Sequence, residues 1–108
     1  MKEEDAIHAL SGLAHSLRLR LFRALVVAGP AGLTPSVLIE QMGGSASTLS
    51  FHLKELMHSG LVTQERQGRN LIYRASFTTM NELLGYLTEN CCEGAACSTT
   101  DAVADCRC

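Results

Sequence analysis

At 108 residues the chain is one domain's worth of sequence, long enough for a small core that burial against a second copy would help to stabilise. Its 46% apolar and 19% charged content is that of an ordinary globular protein, and a net charge of −2 argues at first sight against a polyanionic partner. No apolar run approaches the roughly 18–20 residues of a membrane span, and Met1-Lys2-Glu3-Glu4-Asp5 lacks the basic and apolar stretches of a secretory leader, so a cytoplasmic protein with no membrane partner is expected.

Ile7, Leu10, Ala14 and Leu17 recur at helical spacing, as do Leu17, Leu21, Leu25 and Ala28, which predicts two amphipathic helices broken near His15-Ser16. Gly29-Pro30-Ala31-Gly32 ends the second. Thr34 reads as an N-cap with Pro35 in the first helical position of a short helix through Leu38, Ile39 and Met42, closed by Gly43-Gly44. Ser45 caps a further helix with the apolar stripe Leu49, Leu53, Leu56 and Met57, ended by Gly60. Two helices joined by a tight Gly-Gly turn are a helix-turn-helix signature. Beyond Gly60 the period falls to two. Leu61–Arg66 and Leu71–Ala75 read as strands around Gln67-Gly68-Arg69-Asn70, and a last helix runs from about Thr78 to Glu89.

The distribution of charge points the other way from its total. Between Gln41 and Ala75, Lys54, Arg66, Arg69 and Arg74 outweigh Glu55 and Glu65, whereas from Ser76 onward Arg107 faces Glu82, Glu89, Glu93, Asp101 and Asp105. A basic middle and an acidic end suit a protein that meets phosphate with one face. On the fourth helix the core stripe leaves Ser47, Thr48, Ser50, Phe51, Lys54 and Glu55 pointing elsewhere. Small hydroxyl side chains at a helix start reach phosphates or base edges without filling the groove, and the hairpin arginines can lie along the backbone. The candidate DNA-contacting set is Ser45, Ser47, Thr48, Ser50, Phe51, His52, Lys54, Arg66, Arg69, Asn70, Tyr73 and Arg74, with His52 read as capping or packing within its helix rather than binding a ligand.

Ser50-Phe51-His52-Leu53-Lys54-Glu55-Leu56-Met57-His58-Ser59-Gly60-Leu61-Val62, followed by a hairpin with Gly68-Arg69 and Tyr73, resembles the recognition helix and wing of the ArsR/SmtB family of winged-helix repressors. The resemblance covers nearly the whole chain. It implies a mostly α fold with a small β-hairpin, the winged helix-turn-helix order ααααββα, and a homodimer built on the first and last helices. Two recognition helices would then face a palindrome in double-stranded operator DNA.

All five cysteines, Cys91, Cys92, Cys97, Cys106 and Cys108, lie in the final stretch, which divides the chain into a body (1–90) for DNA binding and dimerisation and a Cys-rich inducer segment with a tail (91–108). In a reducing compartment such a cluster points to a soft metal or to redox chemistry rather than to structural disulfides. Two sensor sites common in the family do not fit: Leu33-Thr34-Pro35-Ser36-Val37-Leu38 has no thiol, and Phe77 to Asn90 has neither His nor Asp. Tyr86-Leu87-Thr88-Glu89-Asn90-Cys91-Cys92, with Cys97 beyond, resembles the C-terminal arsenite site of one branch of the family.

Arsenic(III) is thiophilic and is satisfied by three sulfurs, which Cys91, Cys92 and Cys97 supply. Adjacent residues on an intact helix diverge by about 100°, so the first two thiols converge only where the helix ends, which Asn90 and Gly94 permit. The expected inducer is As(III), with Sb(III) or methylated As(III) as relatives, and no resident cofactor is required. Cadmium, lead or thiol oxidation are the other readings of the cluster, and Cys106 and Cys108 are extra to the pattern. Catalysis is not expected. Cys91 stands at a helix C-terminus beside Glu89 and Glu93, where a thiolate nucleophile is disfavoured.

Overall fold

Each helix after the first starts where a side chain accepts a hydrogen bond from a backbone N–H that the helix itself leaves over. The computed structural model describes residues 1–91. The order is α1 (Glu3–Leu13), α2 (Ser16–Ala28), α3 (Pro35–Met42), α4 (Ala46–His58), β1 (Val62–Gln67), β2 (Asn70–Ala75) and α5 (Phe77–Leu87). His15 Nδ1 accepts from the N–H of Leu17 at 3.1 Å and opens α2 where the sequence predicts a break. Thr34 Oγ1 accepts from Val37 at 3.4 Å, Ser45 Oγ from Thr48 at 3.2 Å, and Ser76 Oγ from Thr79 at 3.3 Å. Gly43 and Gly44 form the turn between α3 and α4 with φ of 77° and 84°, a region other residues enter only with strain.

The core is a leucine cluster. Leu21 and Leu25 of α2, Leu38 of α3, Leu49, Leu53 and Leu56 of α4, and Leu61 ahead of β1 are fully buried, each contributing roughly 1.5–3 kcal/mol relative to exposure. The side of α1 that meets this core is not its stripe of large apolar residues. Ala6, Ala9 and Gly12 face inward, while Ile7 and Leu10 are 55% and 42% exposed. The reason is close approach: a Cβ on Gly12 would lie 2.5 Å from Ser59 Oγ, so the small-residue face is the one that can seat against the end of α4.

β1 and β2 form a two-stranded antiparallel sheet with Gln67 opposite Asn70, which leaves Gly68-Arg69 as the loop. The hairpin is fastened to the body by Leu33, whose N–H donates to Tyr73 O at 2.9 Å and whose carbonyl accepts from Tyr73 N–H at 2.8 Å. Gly32, with φ of 71°, lies against this junction, and a Cβ there would come within 2.6 Å of Tyr73 O. α5 packs beside α1 and ends at Thr88. Asn90 follows in the left-handed region with φ of 59°. Of the expected inducer segment, only Cys91 falls within the described residues. No helix among the described residues is long and apolar enough to cross a membrane.

Candidate nucleic-acid interface

The first turn of α4 presents a row of hydroxyls. Ser45, Ser47, Thr48 and Ser50 are all exposed. Ser45 Oγ, besides capping the helix, donates to Thr48 Oγ1 at 2.9 Å and lies 3.3 Å from Ser47 Oγ, which preorganises the cluster at the positive end of the helix dipole. Phe51 (57% exposed) and Lys54 continue the same exposed surface. The hairpin adds Arg66, Arg69 and Asn70, also exposed. A cleft of about 250 Å³ opens between the start of α3 and the tip of the hairpin, lined by Thr34, Pro35, Ser36, Arg69 and Asn70. Helix start, hydroxyls and cation together form a notch suited to a phosphate. Thr34 reads from the sequence only as a cap, and Ser36 carries no signal there, because the cleft exists only once the hairpin folds back on α3.

Three members of the expected contact set are placed differently. His52 is buried, 7% exposed, and its ring packs against His15 with centroids 4.4 Å apart and edge-on to Phe51 at 5.2 Å. Burial, then the neighbouring His15 and Arg18, hold its imidazole below the usual range, with Glu55 acting in the opposite direction. Tyr73 is equally buried, and its hydroxyl receives a hydrogen bond from Gln64 Nε2 at 2.9 Å. Neither side chain stands at the surface. Arg74 is engaged within the chain, at its surface: its Nε donates to Pro30 O at 2.7 Å, and a terminal nitrogen pairs with Glu65 Oε1 at 2.6 Å. The Arg74 guanidinium in turn holds the Glu65 carboxyl below its usual range. Residue type and local charge could not reveal this, since Pro30 lies far from Arg74 in sequence.

A helix-turn-helix domain family matches residues 13–65, which run from the end of α1 into β1. Among solved structures, NolR from Sinorhizobium fredii is 31% identical, with 86% of this chain and 88% of that one covered and a TM-score of 0.62. A possible transcriptional regulator for arsenical resistance is 29% identical over 73% of this chain and 79% of its own, with a TM-score of 0.64. The chain belongs to the ArsR/SmtB family of winged-helix regulators. A homodimeric winged helix-turn-helix domain from Mycobacterium bovis, itself a possible ArsR-family regulator, shares the fold at 18% identity, covering 89% of each chain with a TM-score of 0.65. No curated protein matches in sequence.

As an ArsR/SmtB member the protein is a DNA-binding transcriptional regulator and not an enzyme. α3 and α4 are its helix-turn-helix, with α4 in the place of the recognition helix, and the β1–β2 hairpin is its wing. At the other end of the fold, Cys91 is exposed one residue past the left-handed Asn90, and its N–H donates to Thr88 O at 3.0 Å. Cys92, Cys97, Cys106 and Cys108 lie outside the described residues. Among the described residues no three His, Cys, Asp or Glu side chains gather closely enough to hold a metal ion.

Proposed function

We propose that the protein is a homodimeric repressor that holds a palindromic operator when metal-free and releases it on binding As(III). Ser45, Ser47, Thr48, Ser50, Phe51 and Lys54 meet the major groove, and Arg66, Arg69 and Asn70 of the wing meet the backbone. The observation that carries DNA contact is the cluster of exposed hydroxyls at the start of α4, together with exposed wing cations, of which Arg69 closes a cleft with the start of α3. Dimerisation is supported by large apolar side chains left in solvent on two helices that pack side by side: Ile7 and Leu10 on α1, and Leu84 and Leu87, 40% and 54% exposed, on α5. One chain of the same fold is a homodimer.

The inducer reading rests on Cys91-Cys92 and Cys97 following directly on α5. The left-handed backbone at Asn90 breaks the helical direction just before Cys91, which relieves the divergence of adjacent side chains on an intact helix. A similar solved chain is described as a possible regulator for arsenical resistance, which favours the same ligand here. Arsenic(III) bound by these thiolates supplies a crosslink at the end of an interface helix. The protein's part is to transmit it: α5 packs on α1, and α1 packs on α4 through the Gly12–Ser59 contact. A 100-fold loss of operator affinity requires a coupling free energy of about 2.7 kcal/mol, and by linkage DNA weakens arsenic binding by the same factor.

The test is fluorescence anisotropy of the reduced protein on DNA from upstream of its own gene, titrated with arsenite, antimonite, cadmium, lead and zinc and repeated with Cys91→Ser. Release by arsenite that is abolished in the variant is expected. Release by cadmium or lead alone, or by an oxidant alone, would transfer the sensor to that ligand. Tight binding indifferent to every one of them would remove the inducer role from the cysteines.

A further inference from the structure

We infer that His52, packed against His15, is a proton-sensitive latch: while the His52 ring is neutral the pair holds the start of α2 against the middle of α4, and protonation of His52 in acidic medium releases α4 and lowers affinity for operator DNA. The inference rests on α4 being the helix that meets DNA.

The geometry of the pair suits an uncharged His52 ring. His15 Nδ1 is the acceptor that caps α2, receiving the N–H of Leu17 at 3.1 Å. The His15 ring lies over His52 at 4.4 Å, with the planes inclined by 39°. His52 is more than nine-tenths buried, and its Nδ1 has no hydrogen-bond partner in the protein. A charged His52 would be a buried cation beside a second histidine and the Arg18 guanidinium, whose own Nε is buried and unpartnered.

The charged and titratable groups facing His52 are His15 and Arg18 from α2 and Glu55 from α4. The buried side chains that α1, α3 and β1 contribute to this core are Ala6, Ala9, Leu38 and Val62, none of which titrates. Glu55 is engaged by Arg18 at 3.7 Å and is 44% exposed, so its carboxylate offsets only part of a new positive charge.

The pair is coupled to the DNA-facing surface by one residue. Phe51 packs edge-on against His52 at 5.2 Å, yet is more than half exposed among the hydroxyls of α4. A shift of His52 therefore moves a side chain of the reading face directly. The direction with pH follows from the lowered affinity of folded His52 for its proton, caused by burial first and then by His15 and Arg18. The unfolded chain takes up the proton first as pH falls through about 6.5, the ordinary imidazole value. The latched state is accordingly fully stable above that value and is lost progressively below it, down to the depressed folded-state pKa.

Two measurements test the latch. Operator affinity is read by anisotropy at constant ionic strength between about pH 7.5 and about pH 5.5, for the wild type and for His15→Asn, which keeps an N-cap acceptor but removes the ring that packs on His52. The wild type should lose about tenfold more affinity across that range than the variant. Equal pH dependence in the two would overturn the latch. Histidine ring resonances are followed by NMR over the same range in the DNA-free wild type. His52 should titrate below the ordinary range, with amide shifts along α4 and at Leu17. Titration in the ordinary range without those shifts would also overturn the proposal, whether or not the protein binds the DNA. Failure to bind at neutral pH would instead refute α4 as the DNA-reading helix, and the NMR titration still decides whether the latch exists.

Discussion

Replacing Arg69 by alanine should flatten the salt dependence of operator binding. Arg69 occupies the two-residue loop of the wing, exposed, and forms no ion pair among the described residues. No carboxylate among them competes with phosphate for its charge. Each neutralised phosphate contributes a slope of about 0.9 to the decline of log K with log salt, and a dimer carries two wing tips, so Arg69→Ala should reduce the slope by about 1.8. Between roughly 50 and roughly 200 mM salt this amounts to about one decade: the variant binds more weakly at low salt and approaches the wild type as salt rises. Arg74→Ala is the internal contrast. Its guanidinium is already occupied by Glu65 and the Pro30 carbonyl, so its removal should loosen the wing and lower affinity with a smaller change of slope. Anisotropy titrations at four salt concentrations measure both slopes. An unchanged slope in Arg69→Ala, or a larger change in Arg74→Ala than in Arg69→Ala, would refute this assignment of the wing cations.

Gly32→Ala should destabilise the fold by about 2 kcal/mol or more, since the backbone there has φ of 71° and the new Cβ would press on Tyr73 O; urea unfolding reads the loss. Leu84→Glu should convert the dimer to monomer in sedimentation velocity and weaken operator binding with it, while far-UV circular dichroism stays unchanged because the side chain is exposed in the single chain. Ser45→Ala should cost about 1 kcal/mol through loss of the α4 cap, whereas Ser45→Asp should keep that stability and yet bind DNA less well, because its carboxylate faces phosphate. Thermal melts and anisotropy on the same two variants separate the effects.

The elements were legible because their signals are local. Pro35 after Thr34, the Gly43-Gly44 turn, Ser45 before an apolar stripe and Gly68 in a hairpin each act within a few residues, and each marks a boundary within one or two residues of where it stands in the structure. The candidate site was legible in its exposed members, the α4 hydroxyls and the wing tip, since those side chains stand at the surface of the single chain. His52, read as packing within its helix, packs instead across to α2, and the engagement of Tyr73 and Arg74 was not legible. Each of the three is consumed by a tertiary neighbour: His15 across the α2–α4 contact, Gln64 across the hairpin, and Pro30 from a turn distant in sequence.

Periodicity and turn chemistry by themselves determined that this chain is a helix-turn-helix followed by a hairpin, and that its thiols come after the last helix. They could not say which face of a helix goes inside. α1 carries two competing faces, large apolar at Ile7 and Leu10 and small at Ala6, Ala9 and Gly12, and an apolar moment favours the first. The tertiary structure chose the second, because only residues without bulk admit Ser59 to within contact of α1. That choice leaves the large side chains outside, where a second copy can bury them.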